Sequence, residues 1–497
     1  MSKEGKKLFY EVLENVKFPD GYASNISRCG QKHRSLSGLK SHDCHVLMQC
    51  VLPIALRRNL DDKVVSVIDD LCSIFRVLCG KTLHIRALEL LEQKAARVFY
   101  RLEKIFLPSF FTIMVHLVIH LVYEARIGGP VHYRWMYPIE RYLKTLKSYV
   151  RNKAQPEGSI AQAYLAEECL IFYDQLDHDK DNNASDLSDL FPSEGKPYGN
   201  IQGFRMDDKV WKQAHRYILF NCGNPAIETL RKDHISHITR LTRRRRPSQH
   251  EKELLHNEGF SDWLQNYVKD PENASDERIT TEIKSLARGP NHTRRFHAFD
   301  VNNGYLFRTK EYKKNMSTQN SGVVVVAKTQ SYASSSDTRP MLGDLAYYGR
   351  VTDMIELDYY GDFKAVLFGC EWVDVVQGRG LRRDSLGYTH VNFSHLIHTG
   401  GRVNDEPYVF PSQVSQVIYI QDCRELDWFT PTPMKPRDLY DIGEDDHHDE
   451  HHAVGAHSIA DQGDMEDDID NLPSTIVSEG IYVDDDHIED TDEEDNN

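Results

Sequence analysis

Residues Thr318–Thr329 read TQNSGVVVVAKT, Asp344–Tyr359 read DLAYYGRVTDMIELDY, and Phe368–Asp374 read FGCEWVD. β-Branched and aromatic residues fill these runs, and Gly, Asp and Asn punctuate them, which is the signature of strands. The expected strands are Val323–Val326, Leu345–Val351, Met354–Tyr359, Ala365–Val375 and Gln416–Ile420. Short strands at this spacing predict a small sheet or barrel between Gly322 and Asp422. Cys370, Trp372 and Asp374 alternate along one strand, so Cys370 and Trp372 share a face, and packing is their expected role.

Upstream, from Ser37 to Leu176, the period changes. Leu88, Leu91, Ala95, Val98 and Leu102 recur at spacings of three and four, which gives one buried face of a helix. Pro108 ends or kinks that helix, and Gly128-Gly129-Pro130 breaks the pattern of the next helical run. Further amphipathic helices are expected after Pro138 and after Gly158. The most apolar stretch is Ile105–Tyr123. It carries Pro108, Ser109, His116 and His120, so a buried core helix is expected there rather than a membrane span. Residues 177–200 are polar and rich in turn formers and read as a linker. Residues 201–320 are polar and mixed, with a short helical segment at Trp211–Phe220 and a basic run at Arg243–Arg246. The fold class is therefore α+β, with a mainly α-helical N-terminal domain and a small β-rich C-terminal domain.

The net charge of −16 is unevenly placed. From Asp441 onward there are 22 Asp and Glu and no Lys or Arg, which leaves 60 basic against 54 acidic residues in the rest. A mildly basic body with a detached acidic tail suits a protein that meets a polyanion, and a solvated surface suits it equally. The tail is expected to be disordered, since it holds little that forms a core. Its His447, His448, His451 and His452 read as solvated chain. The nine Cys are scattered without a C-x-x-C, which fits free thiols in a reducing compartment. The first residues, MSKEGKKLFY, are polar and charged, and no signal peptide is read there.

Two longer stretches carry a resemblance. Gly38–Gln49 (GLKSHDCHVLMQ) and Met114–Phe172 (MVHLVIHLVYEARIGGPVHYRWMYPIERYLKTLKSYVRNKAQPEGSIAQAYLAEECLIF) resemble a domain of unknown function that follows the catalytic region in plant CACTA-type (En/Spm-like, tnp2-type) transposases. The β-rich stretch from Thr309 to Asp422 resembles a second transposase-associated domain of unknown function. The domain limits expected from these readings are 1–36 (a partial N-terminal segment), 37–176 (helical), 177–308 (linker and mixed helical, basic region), 309–425 (β-rich) and 441–497 (acidic tail). The resemblance implies cut-and-paste DNA transposition in the nucleus. It also implies that the helical domain is the remnant of an RNase H-like core with a helical insertion. An intact homologue would use three acidic residues to hold two Mg²⁺ or Mn²⁺ ions. One ion activates a water or a 3′-hydroxyl and the other stabilises the leaving oxygen.

The resemblance leaves only the third acidic residue to be sought here. Glu140 is the candidate, with Glu167 and Glu168 in reserve. Lys144 and Lys147 follow Glu140 by four and seven residues, on one helix face, and are candidate phosphate contacts. A solvated Glu–Lys pair is the alternative. His116 and His120 are four apart and form a candidate partial zinc site, because imidazoles at i and i+4 can share one Zn²⁺. Core histidines on an apolar helix are the alternative. In related superfamilies, including the V(D)J recombinase catalytic subunit, an insertion before the catalytic Glu carries such a His pair, completed by a C-x-x-C that this chain lacks. His42-Asp43-Cys44-His45 reads as polar residues at a helix start. Arg243, Arg244, Arg245 and Arg246, with Arg240, Lys232 and His234 nearby, form the densest basic patch, a candidate for phosphate contact or nuclear import.

About 40 residues precede GLKSHDCH. Two catalytic Asp and their strands do not fit there, and Asp20 does not sit on an alternating apolar strand. The expectation is a transposon-derived fragment that is not an enzyme alone and binds no cofactor firmly. Its expected partners are DNA at transposon ends and proteins at the β-rich domain, with no membrane. Two other readings stay open. One is a domesticated DNA-binding or chromatin-associated interaction protein. The other is a nuclease subunit completed in trans by a chain carrying the two Asp.

Overall fold

The computed structural model describes residues 1–20, 22, 26–27, 36, 38–57, 59–184, 191, 195–242, 248–301, 304–314, 316–331 and 341–434. These fall into two compact units, one drawn from Met1–Leu13 and Cys29–Ser148, the other from Glu14–Arg28 and Tyr149–Asp438. The acidic tail lies outside the described residues.

The first unit is helical. Its elements are α1 (Lys3–Asn15), α2 (Ser41–Val46), a π-turn at Leu47–Val51, α3 (Leu52–Leu56), α4 (Asp62–Leu78), α5 (Ile85–Glu103), α6 (Ile113–Gly128) and most of α7 (Tyr137–Tyr149). Asp61 caps α4 by accepting the Lys63 N–H at 2.9 Å, which satisfies a donor the helix start leaves open. The expected face of α5 is buried in full: Leu88, Leu91, Ala95, Val98 and Leu102 pack against Ile74 and Leu78 of α4 and Val122 and Ala125 of α6. Asp70 on α4 fastens the pair from outside, holding Arg101 at 2.6 Å and Lys94 at 3.1 Å. Gly129, at φ +70°, ends α6 in the left-handed region that a side chain would resist. One expectation is corrected here. Ile105–Tyr123 is not a buried core helix: Val122 and Ala125 are the buried residues of α6, while Ile113, Met114, Leu117, Leu121 and Ile127 are exposed.

The second unit combines helices and sheets. Its helices are α8 (Pro156–Ala184), which extends into the stretch read as linker, α9 (Asp208–Asn221), α10 (Pro225–Leu241), α11 (Gln249–Lys269) and α12 (Thr281–Arg288). A three-stranded sheet joins β1 (Gly195–Tyr198), β4 (Ala298–Val301) and β5 (Leu306–Arg308) in that order. The eleven-stranded sheet contains β2 (Gln202–Gly203), β3 (His292–Phe296), β6 (Gly322–Ser331), β7 (Met341–Tyr359), β8 (Phe363–Val373), β9 (Leu381–Arg383), β10 (Thr389–Asn392), β11 (Leu396–Ile397), β12 (Tyr408–Val409), β13 (Ser415–Gln421) and β14 (Trp428–Pro433). Its main path runs β11-β8-β7-β6-β13-β14-β10-β9, and β3 pairs with both β2 and β7.

The runs Leu345–Val351 and Met354–Tyr359, read as separate strands, are one strand, β7. A register shift between Val351 and Asp353 against β8 marks a bulge, and Thr352 there donates its hydroxyl to the Gly369 carbonyl at 3.0 Å. Beyond the bulge Ile355, Leu357 and Tyr359 share one face, as a period of two requires. Together with Phe363, Ala365 and Leu367 of β8 they form a core with Ala214, Ile218, Ile227, Leu230, Phe260, Leu264 and Leu286 of α9–α12. A separate core gathers Phe296, Phe299, Phe307, Val323, Val351, Met354, Phe368, Cys370 and Trp372. Cys370 and Trp372 are thus packing residues on a common face, as their alternation predicts. The helices α10, α11 and α12 fall in the region read as polar and mixed. Their apolar residues are spaced among many charges, and burial against the sheet is what stabilises them.

Candidate nucleic-acid interface

His116 and His120 both lie exposed on α6, with their Nε2 atoms 3.3 Å apart. In a tetrahedral zinc site with Zn–N bonds of about 2.0–2.1 Å, two imidazole nitrogens sit about 3.3 Å apart. The pair therefore fits one edge of such a site, and as neutral rings it also makes a hydrogen bond. Among the described residues no group of three or more His, Cys, Asp and Glu is arranged to hold a metal ion. The described residues thus offer zinc two ligands and do not offer a two-metal carboxylate site.

Glu140, Lys144 and Lys147 project into solvent from α7. Among the described residues no ion pair joins Glu140 to Lys144. Glu167 on α8 accepts a hydrogen bond from the Tyr149 hydroxyl, and Glu168 is half-buried. Arg243, Arg244, Arg245 and Arg246 lie outside the described residues, directly after α10. The His42–His45 segment forms α2, where buried Asp43 accepts the Lys40 N–H at 3.0 Å and so caps the helix. His45 packs edge-on to Trp135. Asp20 is engaged by Lys313 at 3.0 Å and Arg308 at 3.1 Å.

Features that the sequence did not signal lie in the second unit. His215 of α9 is buried with its Nδ1 at 2.9 Å from the Tyr359 hydroxyl, and burial pushes its imidazole down to about 3. His234 of α10, read from the sequence as part of the basic patch, is instead buried, and it shares an Nδ1–Nδ1 hydrogen bond of 2.8 Å with His256 of α11 beside Trp263 and Phe260. Burial pushes both down to about 4. All three rings are neutral packing groups at pH 7. His390 is fully buried between Thr430 at 3.1 Å and Asp384 at 3.3 Å.

A groove of about 550 Å³ opens between Phe204–Trp211 and Pro290–Thr293. Trp211 forms part of its wall, donating its indole N–H to the Pro290 carbonyl at 3.4 Å. Gly289 makes this approach possible: its φ is +81°, and a Cβ there would stand 2.3 Å from Trp211 Cζ2. The Phe204 ring carries the Arg295 guanidinium at 4.1 Å, and Arg295 in turn pairs with Asp353 at 2.8 Å. Arg205 and His292, which also line the groove, are exposed and make no ion pair among the described residues. No signal marked this groove in advance, because its walls come from segments about 80 residues apart.

Two family models match the chain. Residues 78–186 match a domain of unknown function, DUF4218, and residues 355–430 match another, DUF4216. No curated protein and no solved structure matches. His116, His120, Glu140, Lys144, Lys147, Glu167 and Glu168 all lie within the first matched span, and Tyr360 lies within the second. The chain therefore carries two domains of the kind associated with transposase-like proteins.

Proposed function

We propose that this chain derives from a CACTA-type cut-and-paste transposase and acts in the nucleus by binding DNA at transposon ends, leaving strand cleavage to acidic residues it does not itself assemble. The observation that carries this reading is the presence of two transposase-associated domains on one chain. Support comes from α7, where Lys144 and Lys147 stand exposed one turn apart. Each ammonium can replace a condensed counterion at a phosphate. Arg243–Arg246 extend the same chemistry as a run of guanidinium groups. The His116–His120 pair would hold zinc by two imidazoles, and the ion would supply a cross-link to further ligands rather than chemistry at DNA.

The test is a salt titration of duplex DNA binding with the full chain. The slope of log K against log salt should fall by about 1–2 in the Lys144→Ala/Lys147→Ala variant, because each phosphate contact contributes about 0.9. An unchanged slope removes these lysines from the interface. Mg²⁺-dependent nicking of terminal inverted repeats by the chain alone would overturn the non-catalytic assignment.

A further inference from the structure

The hairpin between β7 and β8 departs from turn chemistry. Asp362 donates its N–H to the Tyr359 carbonyl at 3.0 Å, and both central residues, Tyr360 at φ +59° and Gly361 at φ +83°, are left-handed. This is a type I′ turn, whose first central position favours Asn, Asp or Gly. A tyrosine there is strained, and burial does not compensate, since Tyr360 is 51% exposed. The residue is held from outside the turn. Its N–H donates to the Asn291 side-chain oxygen at 2.8 Å, and the Arg288 guanidinium lies 5.7 Å from its ring centroid. Asn291 also lines the groove that contains Arg205, Trp211 and His292. Through its backbone, Tyr360 is therefore tied to the edge of a concave surface lined by Phe204, Trp211, Arg205 and His292.

We infer that this groove and Tyr360 form a binding site for single-stranded nucleic acid. An exposed ring at a groove edge offers a face to an unpaired base, which every base can use. Arg205 and His292 line the groove and Arg288 lies over the Tyr360 ring, where their N–H groups can donate to phosphates. The groove is within the size of clefts that enclose a small ligand, about 300–1,000 Å³, so a splayed base enters it against Trp211. Asp208 lines the same groove, where a carboxylate would oppose a simple phosphate trap. Beside a base it becomes an acceptor for an exocyclic amine, and the Asn291 amide adds a donor. Duplex DNA cannot present a base face in this way, so a single strand is the partner that uses every group of the site. The site rests on the DNA-binding function proposed above for the class of its partner, and on the Tyr360 geometry for the choice of strand.

Fluorescence anisotropy of the full chain, with a labelled single strand of about a dozen nucleotides and with its duplex, tests the site. The variants are Tyr360→Asn and Arg205→Ala. Asn is favoured in the turn, so Tyr360→Asn should raise the melting temperature of the second unit by about 1–3 °C while weakening single-strand binding about ten-fold. Arg205→Ala should weaken single-strand binding and lower its salt slope by about 0.7. Duplex binding should stay within two-fold in both. Single-strand affinity unchanged in both variants overturns the site while leaving duplex binding intact. A lower melting temperature in Tyr360→Asn also overturns it, because the residue would then be structural. Failure to bind either form of DNA removes the proposed function as well.

Discussion

Acidification from pH 7 to pH 5 should destabilise the second unit through His215. Its ring is 1% exposed, packs 4.9 Å from Trp211, and shares a hydrogen bond with Tyr359, itself fully buried. Burial lowers the imidazole from its ordinary 6.5 to about 3. A folded value below the unfolded one means that the unfolded chain takes up the proton first. The stability is therefore complete above pH 6.5 and is lost as pH falls from 6.5 towards 3. At pH 5 the folded ring is neutral while nearly every unfolded chain is protonated there. The loss is about 1.36 kcal/mol for each of the 1.5 pH units crossed below 6.5, or about 2 kcal/mol. The His215→Phe/Tyr359→Phe variant removes both partners of the buried hydrogen bond together, which should cost within about 1 kcal/mol at pH 7. It should gain about 2 kcal/mol on the wild type between pH 7 and pH 5. Urea unfolding followed by tryptophan fluorescence reads this, since every Trp except Trp135 belongs to the second unit. His234 and His256 titrate in both proteins and cancel in the difference. A wild-type-to-variant difference that is the same at both pH values refutes the buried neutral imidazole.

Gly289→Ala places a Cβ 2.3 Å from Trp211 Cζ2 at a φ of +81°. Left-handed strain and overpacking together should cost about 2–4 kcal/mol in urea unfolding, and a loss under about 0.5 kcal/mol would mean that Trp211 yields freely. Calorimetric zinc titration at pH 7.5 should show weak binding that falls at least about ten-fold in His116→Ala/His120→Ala. Equal zinc affinity in the double variant would assign the ion to other ligands of the chain.

Much of the secondary structure was legible because local pattern and burial agree. Leu88, Leu91, Ala95, Val98 and Leu102 recur at helical spacing, and all are buried. Val323–Val326 and Ala365–Val375 read as strands, and they are strands except for Asp374 and Val375, which follow the end of β8 at Val373. The helices α10–α12 were missed because their apolar residues are diluted by charge, and their partners, such as Ile355 and Leu357, lie far along the chain. The bulge at Thr352 was missed because a register shift belongs to a pair of strands and leaves no mark on one of them. Of the candidate site, the His116–His120 spacing was readable because i and i+4 on a helix are neighbours by geometry.

Periodicity and composition alone specified the α+β class, the order of helical and β-rich parts, and the apolar character of Ile105–Tyr123. They did not specify which apolar residues are covered. Val122 and Ala125 are buried while Ile113 and Met114 are exposed, because burial depends on what packs against a helix and not on its own sequence. The groove of Arg205, Trp211 and His292, and the strained Tyr360 at its rim, likewise exist only in the folded chain. β3 places His292 opposite Asp358, and the hairpin that follows then sets Tyr360 within reach of Asn291. Contacts between distant segments follow from strand register, and register is fixed by burial of a sheet face, which no strand achieves alone.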